Sequence, residues 1–533
     1  MTVQSRGFAP DRRMLLLGGT MLVGLSACGV GGPPVAATKA GKVRGVVEDG
    51  VKAFKGVRYG ATTEGRRFLP PQPPAPWTET KDALEYANSS PQNPAGNGGG
   101  LYQSWQNPRP QSEDCLFLNV WTRGLADGKK RPTMVWFHGG GYATGSGSSK
   151  AYDGVRLATR GDVVLVTVNH RLNVFGYTCL DAVGGEAFAG SGNAGNLDMI
   201  QSLEWVRDNI AEFGGDPANV TIFGESGGGG KVSTLLAMPK AQGLFHKAIV
   251  QSGSTLQVRG AEAAAGMTKA FMAACGAKTV AELQALPKEK LLEAILVTPG
   301  APAGAPPPGG GTPGPVMDGG SMPRQPFVPD AAETGKAVPM LIGTTKDEQA
   351  GLMGARDPKL FDLKWEELPE KLASFKARGL DVTAAIAKTR ELYPDLNAAD
   401  VFFVIQTETG MRRNAILQAE AKAAQGGAPA FMYLLAHETP VDGGKWNSPH
   451  AYDLCFMFDN VAKSASFIGN DPNAQKVADA MANAWIAFAK TGNPGWEAYT
   501  PDKRNVMVFD TESKVVVDPR SDERQMYAGL KSA

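Results

Sequence analysis

The chain has 533 residues and a mass of 56.1 kDa, and 42% of its residues are apolar, which is ample for a large hydrophobic core. Its 54 basic residues nearly balance its 53 acidic ones, for a formal charge of +1. This balance argues against a nucleic-acid-binding protein and favours a small, neutral substrate.

The N-terminus predicts an export signal rather than part of the fold. Arg12-Arg13 precede an apolar stretch, Met14 to Leu25, that is too short to span a membrane. The arginine pair resembles a twin-arginine signal, and Leu-Ser-Ala before Cys28 resembles a lipoprotein cleavage box, which would lipidate Cys28 and anchor the chain to a membrane; an ordinary signal peptide is the alternative. We predict an exported protein, periplasmic or secreted, with a signal peptide over 1–27, a flexible tether over 28–40 and one folded domain over 41–533.

Short apolar runs alternate with helix-length segments along the rest of the chain, which predicts an α/β sheet. The predicted strands are β-branched or aromatic runs bounded by glycine, proline or polar turns: Thr133–His138, Val163–Asn169, Val220–Gly224, Lys247–Gln251, Val338–Gly343, Phe431–Leu435 and Val506–Asp510.

One amphipathic helix is clear from its periodicity, with apolar residues at Ile200, Leu203, Val206 and Ile210. Gly214-Gly215 end the pattern, and we expect this helix to pack on the sheet. The Pro/Gly-rich stretch Thr298 to Pro315 is predicted to be a surface loop inside the domain, because the alternation of strands and helices resumes on both sides.

The segment Gly224-Glu225-Ser226-Gly227-Gly228 lies between an apolar run and a segment that can form a helix, Lys231–Met238. A nucleophile on a tight strand-to-helix turn needs small neighbours, because its strained backbone aims the hydroxyl out of the sheet. Glycine makes up 66 of the 533 residues, so the pattern alone has little specificity. Its place at a strand-to-helix junction predicts that Ser226 is a nucleophile.

A serine nucleophile of this kind needs N–H donors for the oxyanion that forms when it attacks. The run His138-Gly139-Gly140-Gly141-Tyr142 directly follows a predicted strand. Consecutive glycines let backbone N–H groups approach the developing charge without obstruction by a Cβ atom. We predict an oxyanion hole formed by Gly140, Gly141 and Gly227.

The general base should be a histidine that follows both the nucleophile and the acid, and the chain has five histidines. His138, His170 and His246 come too early. His437 ends an apolar strand and is predicted to be a packed residue, whereas His450 lies in a polar loop. We predict that His450 is the base.

The acid that orients the base should follow a strand between Ser226 and His450. The strand Val338–Gly343 is followed by Thr-Thr-Lys and then by Asp347 and Glu348. Physical chemistry leaves these two carboxylates open, and a solvated charge cluster after a strand is a third alternative.

Several segments in order resemble the type-B carboxylesterase and cholinesterase family. Besides the segments above they are 112–120 (SEDCLFLNV), 168–172 (VNHRL), 192–193 (GN), 314–319 (GPVMDG) and 450–454 (HAYDL). The resemblance spans about residues 41 to 525. It implies the α/β-hydrolase fold, a large and mainly parallel central sheet flanked by helices, and it implies Glu348 as the acid and His450 as the base.

The sequence departs from the family's usual pattern at three places. Gly227 stands where alanine is usual, which keeps the N–H donor and loosens the turn. Segment 195–199 (GNLDM) differs from the usual Gly-Leu-x-Asp-Gln, so the polar contacts of that segment do not carry over. Ser90 stands where the family often has a cysteine bridged to the counterpart of Cys115, so we expect Cys115 to lack its usual partner.

Two further residues are assigned to the substrate pocket. Trp105 lies at a position that resembles the tryptophan of the choline site in cholinesterases, where an aromatic face attracts a cation. Packing against a glycine-rich flap is the alternative, and we do not predict a cholinesterase. Glu225, beside the nucleophile, is expected to tune the pocket electrostatically.

Together these residues predict a serine hydrolase that cleaves small-molecule carboxylic esters through an acyl-enzyme, without a cofactor. No metal is predicted, because the cysteines after residue 28 match no metal-site spacing: Cys115, Cys179, Cys275 and Cys455. The alternatives are a non-catalytic binding module of the same fold and an amide, thioester or lactone hydrolase with the same triad.

Overall fold

The computed structural model of the protein describes residues 32–94, 100–298 and 313–531. The predicted signal peptide, Cys28 and most of the Pro/Gly-rich loop lie outside the described residues. The strands are β1 Val35–Thr38, β2 Gly41–Arg44, β3 Val46–Glu48, β4 Val51–Arg58, β5 Lys81–Asp82, β6 Phe117–Thr122, β7 Arg131–Phe137, β8 Val164–Val168, β9 Gly215–Glu225, β10 Lys247–Gln251, β11 Arg259–Gly260, β12 Val316–Met317, β13 Met340–Thr345, β14 Ala430–Leu435, β15 Asn505–Phe509 and β16 Lys514–Val517.

The helices connect these strands and cover the sheet. They are α1 Val155–Gly161, α2 Asn173–Tyr177, α3 Asp181–Gly184, α4 Ala194–Asn209, α5 Gly227–Leu235, α6 Ala261–Cys275, α7 Val280–Ala285, α8 Lys288–Val297, α9 Leu368–Lys371, α10 Val382–Leu392, α11 Ala398–Thr407, α12 Arg413–Ala424, α13 Asp453–Met457, α14 Ala465–Ile468, α15 Ala474–Thr491 and α16 Ser521–Tyr527. None of the helices in the described ranges has the length and hydropathy needed to cross a bilayer.

Eleven strands of the described residues form one sheet in the order β16-β15-β14-β13-β10-β9-β7-β8-β6-β4-β3. The strands from β8 to β15 in this order are parallel, and the pairings toward both edges are antiparallel. All the predicted strands are present, although β9 begins earlier than predicted. The predicted α/β-hydrolase architecture, a large and mainly parallel sheet flanked by helices, is confirmed.

Strand β7 is apolar from Met134 to Phe137 because helices cover both of its faces. Val135 and Phe137 pack in a cluster with residues of α4, α5 and α12, whereas Met134 and Trp136 pack in a second cluster with residues of α1 and α15. Side chains alternate between the faces of a strand, so a strand covered by helices on both faces needs apolar residues at successive positions.

The predicted amphipathic helix is α4, which packs on the sheet as expected. Leu203 and Val206 are fully buried in the same cluster as Val135. The helix continues into a 3-10 turn, Ile210–Phe213, and Gly214 ends it in the left-handed conformation with φ +73°.

The folded domain begins earlier than the sequence predicted. Residues 35–38, assigned to a flexible tether, form β1 and pair antiparallel with β2. Ala36 is buried in the same core cluster as the sheet. The tether prediction is therefore wrong for these residues, because their small apolar side chains alternate between core and solvent as in an ordinary strand.

The parallel strands place their carboxyl ends at one edge of the sheet. Strands β7 and β9 are adjacent, so the glycine run that follows β7 lies beside the turn that follows β9. Strand β13 ends at the same edge and leads into the predicted acid. This edge is where ligands bind in open α/β sheets.

Candidate active site

Ser226 lies at the junction of β9 and α5 with φ +56° and ψ −125°, a backbone conformation that L-residues rarely adopt. A Cβ atom on Gly224 would lie 2.4 Å from the Gly228 carbonyl carbon, and one on Gly228 would lie 2.1 Å from the Phe137 carbonyl oxygen. Both glycines are therefore required by close backbone contacts. The strained serine between them has the geometry of a nucleophile elbow.

The glycine run after β7 lies directly beside this turn. Gly140 and Gly141 have φ values of +87° and +62°. Within the described residues their N–H groups have no backbone acceptor, and Gly227 is the first residue of α5, where an N–H has no partner inside the helix. A Cβ atom on Gly227 would lie 2.2 Å from the Gly141 carbonyl oxygen, so the two segments are in contact. These three N–H groups are free to bind an anionic oxygen.

Glu348 and His450 form a buried pair. Glu348 Oε2 lies 2.5 Å from His450 Nδ1, and Glu348 Oε1 accepts a hydrogen bond from the N–H of Thr345 at 2.9 Å. The backbone of the turn after β13 thus fixes the carboxylate, and the carboxylate fixes the imidazole. This is the contact by which an acid orients a general base.

The structure brings neither of the competing residues to this pair. Asp347 Oδ2 accepts from the N–H of Ser448 at 3.2 Å. His437 lies between Asp471 and Asp510, with its Nε2 2.5 Å from Asp471 Oδ2.

Glu225 lies on the other side of the imidazole, with its Oε1 3.0 Å from His450 Nε2. Both side chains are buried. Burial by itself lowers the pKa of His450, but the charges of Glu225 and Glu348 outweigh it and raise the pKa well above its ordinary value. Burial has the opposite effect on a carboxyl group and raises the pKa of Glu225, and the charge of His450 opposes that shift.

Ser226 Oγ forms no hydrogen bond with any other described residue. His450 Nε2 faces Glu225 rather than the serine. Hydrogen bonds of catalytic groups are often long or misaligned before substrate binds, and Ser226 is partly exposed.

The comparisons with known proteins agree with this geometry. The family model described as the carboxylesterase family matches residues 32–527. The chain belongs to the carboxylesterase family. Its predicted membership and its activity as a carboxylic ester hydrolase are confirmed.

Several carboxylesterases match over nearly their whole length. The para-nitrobenzyl esterase of Bacillus subtilis is 34% identical over 517 residues, which cover 92% of this chain and 98% of that protein. The phenmedipham hydrolase of Pseudarthrobacter oxydans is 30% identical over 520 residues, 91% of this chain and 96% of that protein. The crystal structure of a Geobacillus stearothermophilus carboxylesterase is 37% identical, has a TM-score of 0.80 and covers 92% of this chain and 99% of its own.

Trp105 of this carboxylesterase is a packed residue at the end of the 3-10 turn Gly100–Trp105. Its ring stacks on Phe467 with centroids 4.2 Å apart, and its Nε1 donates to Ser464 Oγ at 2.9 Å. One face of the indole is therefore already occupied. The neighbouring Tyr102, which the sequence analysis did not single out, is closer to the triad, with its hydroxyl 3.5 Å from the His450 carbonyl oxygen.

Segment 195–199 keeps the aspartate of the usual family pattern, and this residue makes a buried ion pair. Asp198, in the altered segment 195–199, accepts two hydrogen bonds from the buried guanidinium of Arg171, at 2.6 and 2.8 Å. Among the described residues, Cys115 is a free and fully buried thiol. Burial raises the pKa of this thiol above its ordinary value.

Sequence reasoning missed two buried ionisable residues near Glu225 and the pair of Glu348 and His450 in this carboxylesterase. Asp453 Oδ2 accepts from Gln251 Nε2 and from the Tyr433 hydroxyl, each at 2.8 Å, and burial raises its pKa to about 7. Lys231 appeared only as the start of a helix-forming segment, but it is fully buried within α5. The signal that could have identified Lys231 was a polar residue inside an apolar helix. The sequence alone does not show which face of that helix is buried.

Proposed function

We propose that this carboxylesterase hydrolyses small-molecule carboxylic esters by transferring the acyl group to Ser226, with Glu348 and His450 as the other members of the triad. The observation that carries the proposal is the 2.5 Å contact between Glu348 Oε2 and His450 Nδ1 beside the strained turn of Ser226. No cofactor is needed for this chemistry.

In the proposed mechanism, substrate binding brings Ser226 Oγ to His450 Nε2. The imidazole takes the hydroxyl proton as the oxygen attacks the ester carbonyl, and Glu348 stabilises the imidazolium. The N–H groups of Gly140, Gly141 and Gly227 hold the oxyanion. His450 then protonates the leaving alcohol, and a water molecule repeats the sequence to release the acid.

Glu225 also has a role in the proposed mechanism. Its carboxylate is 3.0 Å from the nitrogen that must accept the serine proton. It therefore favours the imidazolium that forms when Ser226 attacks, and it also holds the resting enzyme in the protonated, inactive form at low pH. The proposed base form appears only as the pH rises above the raised pKa of His450.

The names of two relatives guide the choice of substrate. One is a para-nitrobenzyl esterase and another a phenmedipham hydrolase, so aromatic leaving groups are reasonable first probes. A panel of p-nitrophenyl acetate, butyrate and octanoate, each paired with the matching p-nitroanilide and thioester, tests the reaction class directly. We expect hydrolysis of the esters and much slower hydrolysis of the anilides.

The decisive comparison sets the wild-type protein beside Ser226→Ala. The proposal predicts that kcat falls by about four to six orders of magnitude, to the rate left by the oxyanion hole and binding alone. Equal rates for the two proteins across the panel would overturn it. Circular dichroism establishes that the variant is folded.

We further propose that the enzyme is exported and anchored through a lipid on Cys28, a proposal supported by the sequence of residues 1–28 alone. Radiolabelled palmitate fed to cells that express the full chain should label the wild-type protein and not Cys28→Ala. Equal labelling of both proteins would contradict the lipid anchor.

A further inference from the structure

Lys231 is a buried cation behind the glycine run that follows β7. Its side chain is fully buried, and its Nζ donates a hydrogen bond to the carbonyl oxygen of His138 at 2.7 Å. No carboxylate of the described residues forms an ion pair with it, although the charge of Glu225 acts on it at longer range. The ammonium thus has one neutral carbonyl as its direct partner.

Burying an ammonium in this way is unfavourable for folding. Burial lowers the pKa of Lys231 to about 7, and Glu225 opposes the shift. Methionine, an apolar residue of similar length, would fill the same space without that cost. Packing therefore does not explain the lysine.

The position of Lys231 on α5 places it against the glycine run. Gly228 and Lys231 lie on the same face of the helix, since residues three apart are neighbours. Gly228 lies against the Phe137 carbonyl, and Lys231 contacts the next carbonyl, that of His138. Its Nζ also lies 5.7 Å from the ring centroid of Tyr142.

His138 and Tyr142 are the residues on either side of Gly139, Gly140 and Gly141. Lys231 therefore reaches both ends of the segment that supplies two of the proposed oxyanion donors. The third donor, Gly227, begins the helix that carries Lys231. One side chain thus connects the two backbone segments whose separation sets the size of the oxyanion hole.

We propose that Lys231 is a positioning residue of the oxyanion hole, which fixes residues 139–141 relative to Ser226 and holds positive charge behind them. This inference rests on the proposed function. It adds a side chain that touches neither substrate nor reacting atoms, and it assigns a role to a residue that the triad mechanism does not use.

The charges around Lys231 are consistent with this role. The charge of Glu225, at the end of β9, acts on it, and the imidazoles of His138 and His170, on which the charge of Lys231 acts, stack with centroids 4.9 Å apart. Burial lowers the pKa of both histidines well below the ordinary value, so they are neutral near pH 7. In its protonated form Lys231 offsets the charge of Glu225 when an oxyanion forms, and such a contribution acts on kcat more than on KM.

The test uses Lys231→Met, which removes the donor and the charge, and Lys231→Gln, which keeps a shorter neutral donor. The matched control is Ser233→Ala, which removes another fully buried polar group from the same helix; its hydroxyl bonds to Gly229 and Gln418 rather than to the glycine run. Each protein is assayed for kcat and KM on p-nitrophenyl butyrate and for inhibition by a trifluoromethyl ketone, whose hemiketal oxygen occupies the oxyanion hole.

We expect Lys231→Met to lower kcat by about tenfold to a hundredfold, less than the loss of a direct oxyanion donor, with KM within about threefold of wild type. Inhibition by the ketone should weaken by the same factor as kcat, and Ser233→Ala should leave both near wild type. If Lys231→Met does not fold, Lys231→Gln takes its place, and we expect it to lower kcat and weaken inhibition by a smaller factor.

Wild-type kcat in either folded Lys231 variant, or an equal loss in Ser233→Ala, would overturn the inference. Ser226→Ala is assayed beside them. If Ser226→Ala stays active, the proposed function has failed; if Ser226→Ala is inactive while Lys231→Met is fully active, this inference alone has failed.

Discussion

Glu225 Oε1 and His450 Nε2 lie 3.0 Å apart, so the imidazole of His450 is held between two buried carboxylates, that of Glu225 on one side and that of Glu348 on the other. The nitrogen that faces Glu225 is the one that the proposed mechanism needs as a base. The pH dependence of the enzyme should therefore depend on a residue beside the nucleophile as well as on the triad.

Replacing Glu225 with glutamine should move the acidic limb of kcat/KM to lower pH. In the proposed mechanism only neutral His450 acts as the base, so the rate rises as the pH increases through its pKa. The charge of Glu225 is a main cause of the raised pKa, and removing it lowers that pKa. The measurement is a pH profile of kcat/KM from pH 5 to 9 on p-nitrophenyl butyrate.

The control for this profile is Asp347→Asn, which changes a nearby buried carboxyl group that contacts Ser448 and Lys346 rather than His450. Its acidic limb should coincide with that of the wild type. An acidic limb that stays in place in Glu225→Gln would show that Glu225 does not act on the base.

Glu348→Gln should lower kcat by about three to four orders of magnitude, because the amide no longer stabilises the imidazolium or fixes the tautomer of His450. The kcat of Asp347→Asn should stay within about tenfold of the wild-type value. The Asp347 carboxyl group accepts a hydrogen bond from the backbone N–H of Ser448, and an asparagine oxygen can accept the same bond. Steady-state kinetics on one ester decide between them, and the opposite ranking would reassign the acid to Asp347.

Gly227→Ala should impair this enzyme even though alanine is usual at this position in the family that the sequence resembles. A Cβ atom there would meet the Gly141 carbonyl oxygen at 2.2 Å and the Gly141 Cα at 2.3 Å. The glycine run must move away from Ser226, and kcat should fall by about tenfold to a hundredfold.

The matched control is Gly266→Ala on α6, where an added Cβ has no atom within 4 Å. Its kcat should equal that of the wild type, and its stability should rise slightly, since alanine favours a helix. Full activity in Gly227→Ala would mean that the glycine run can shift without loss of the oxyanion hole.

Asp198→Ala should be among the most destabilising single substitutions. It leaves the guanidinium of Arg171 buried without its carboxylate, and breaking such a pair costs about 3–5 kcal/mol of unfolding free energy. Asp82→Ala breaks the exposed pair with Arg44 and should cost less than about 1 kcal/mol. Urea unfolding followed by tryptophan fluorescence measures both, and similar losses in the two variants would contradict the expectation.

Much of the fold could be predicted from the sequence because its strands are buried on both faces and so appear as continuous apolar runs, such as Met134 to Phe137. The turn of Ser226 was visible because it needs Gly224 and Gly228 at fixed positions. His450 followed from chain order, since few histidines come after the acid. These features depend on local sequence and can be recognised without coordinates.

Other features depend on tertiary contacts and could not be predicted. Asp347 and Glu348 are adjacent in the same turn, and apart from the family resemblance only the fold shows which one faces His450. Lys231 is buried because Gly228, three residues before it, lets α5 approach β7 closely. Residues 35–38 have the composition of a linker, yet they form a strand because Gly41–Arg44 turns back to pair with them.

The most direct test of the account is covalent labelling by diethyl p-nitrophenyl phosphate, followed by peptide mass spectrometry of the wild-type protein and Ser226→Ala. We expect one diethylphosphoryl group per wild-type chain, on the peptide that contains Ser226, with activity lost in proportion to labelling and no adduct in the variant. Inactivation with the adduct on another residue, or labelling of Ser226 that leaves ester hydrolysis intact, would contradict the claim that Ser226 is the nucleophile.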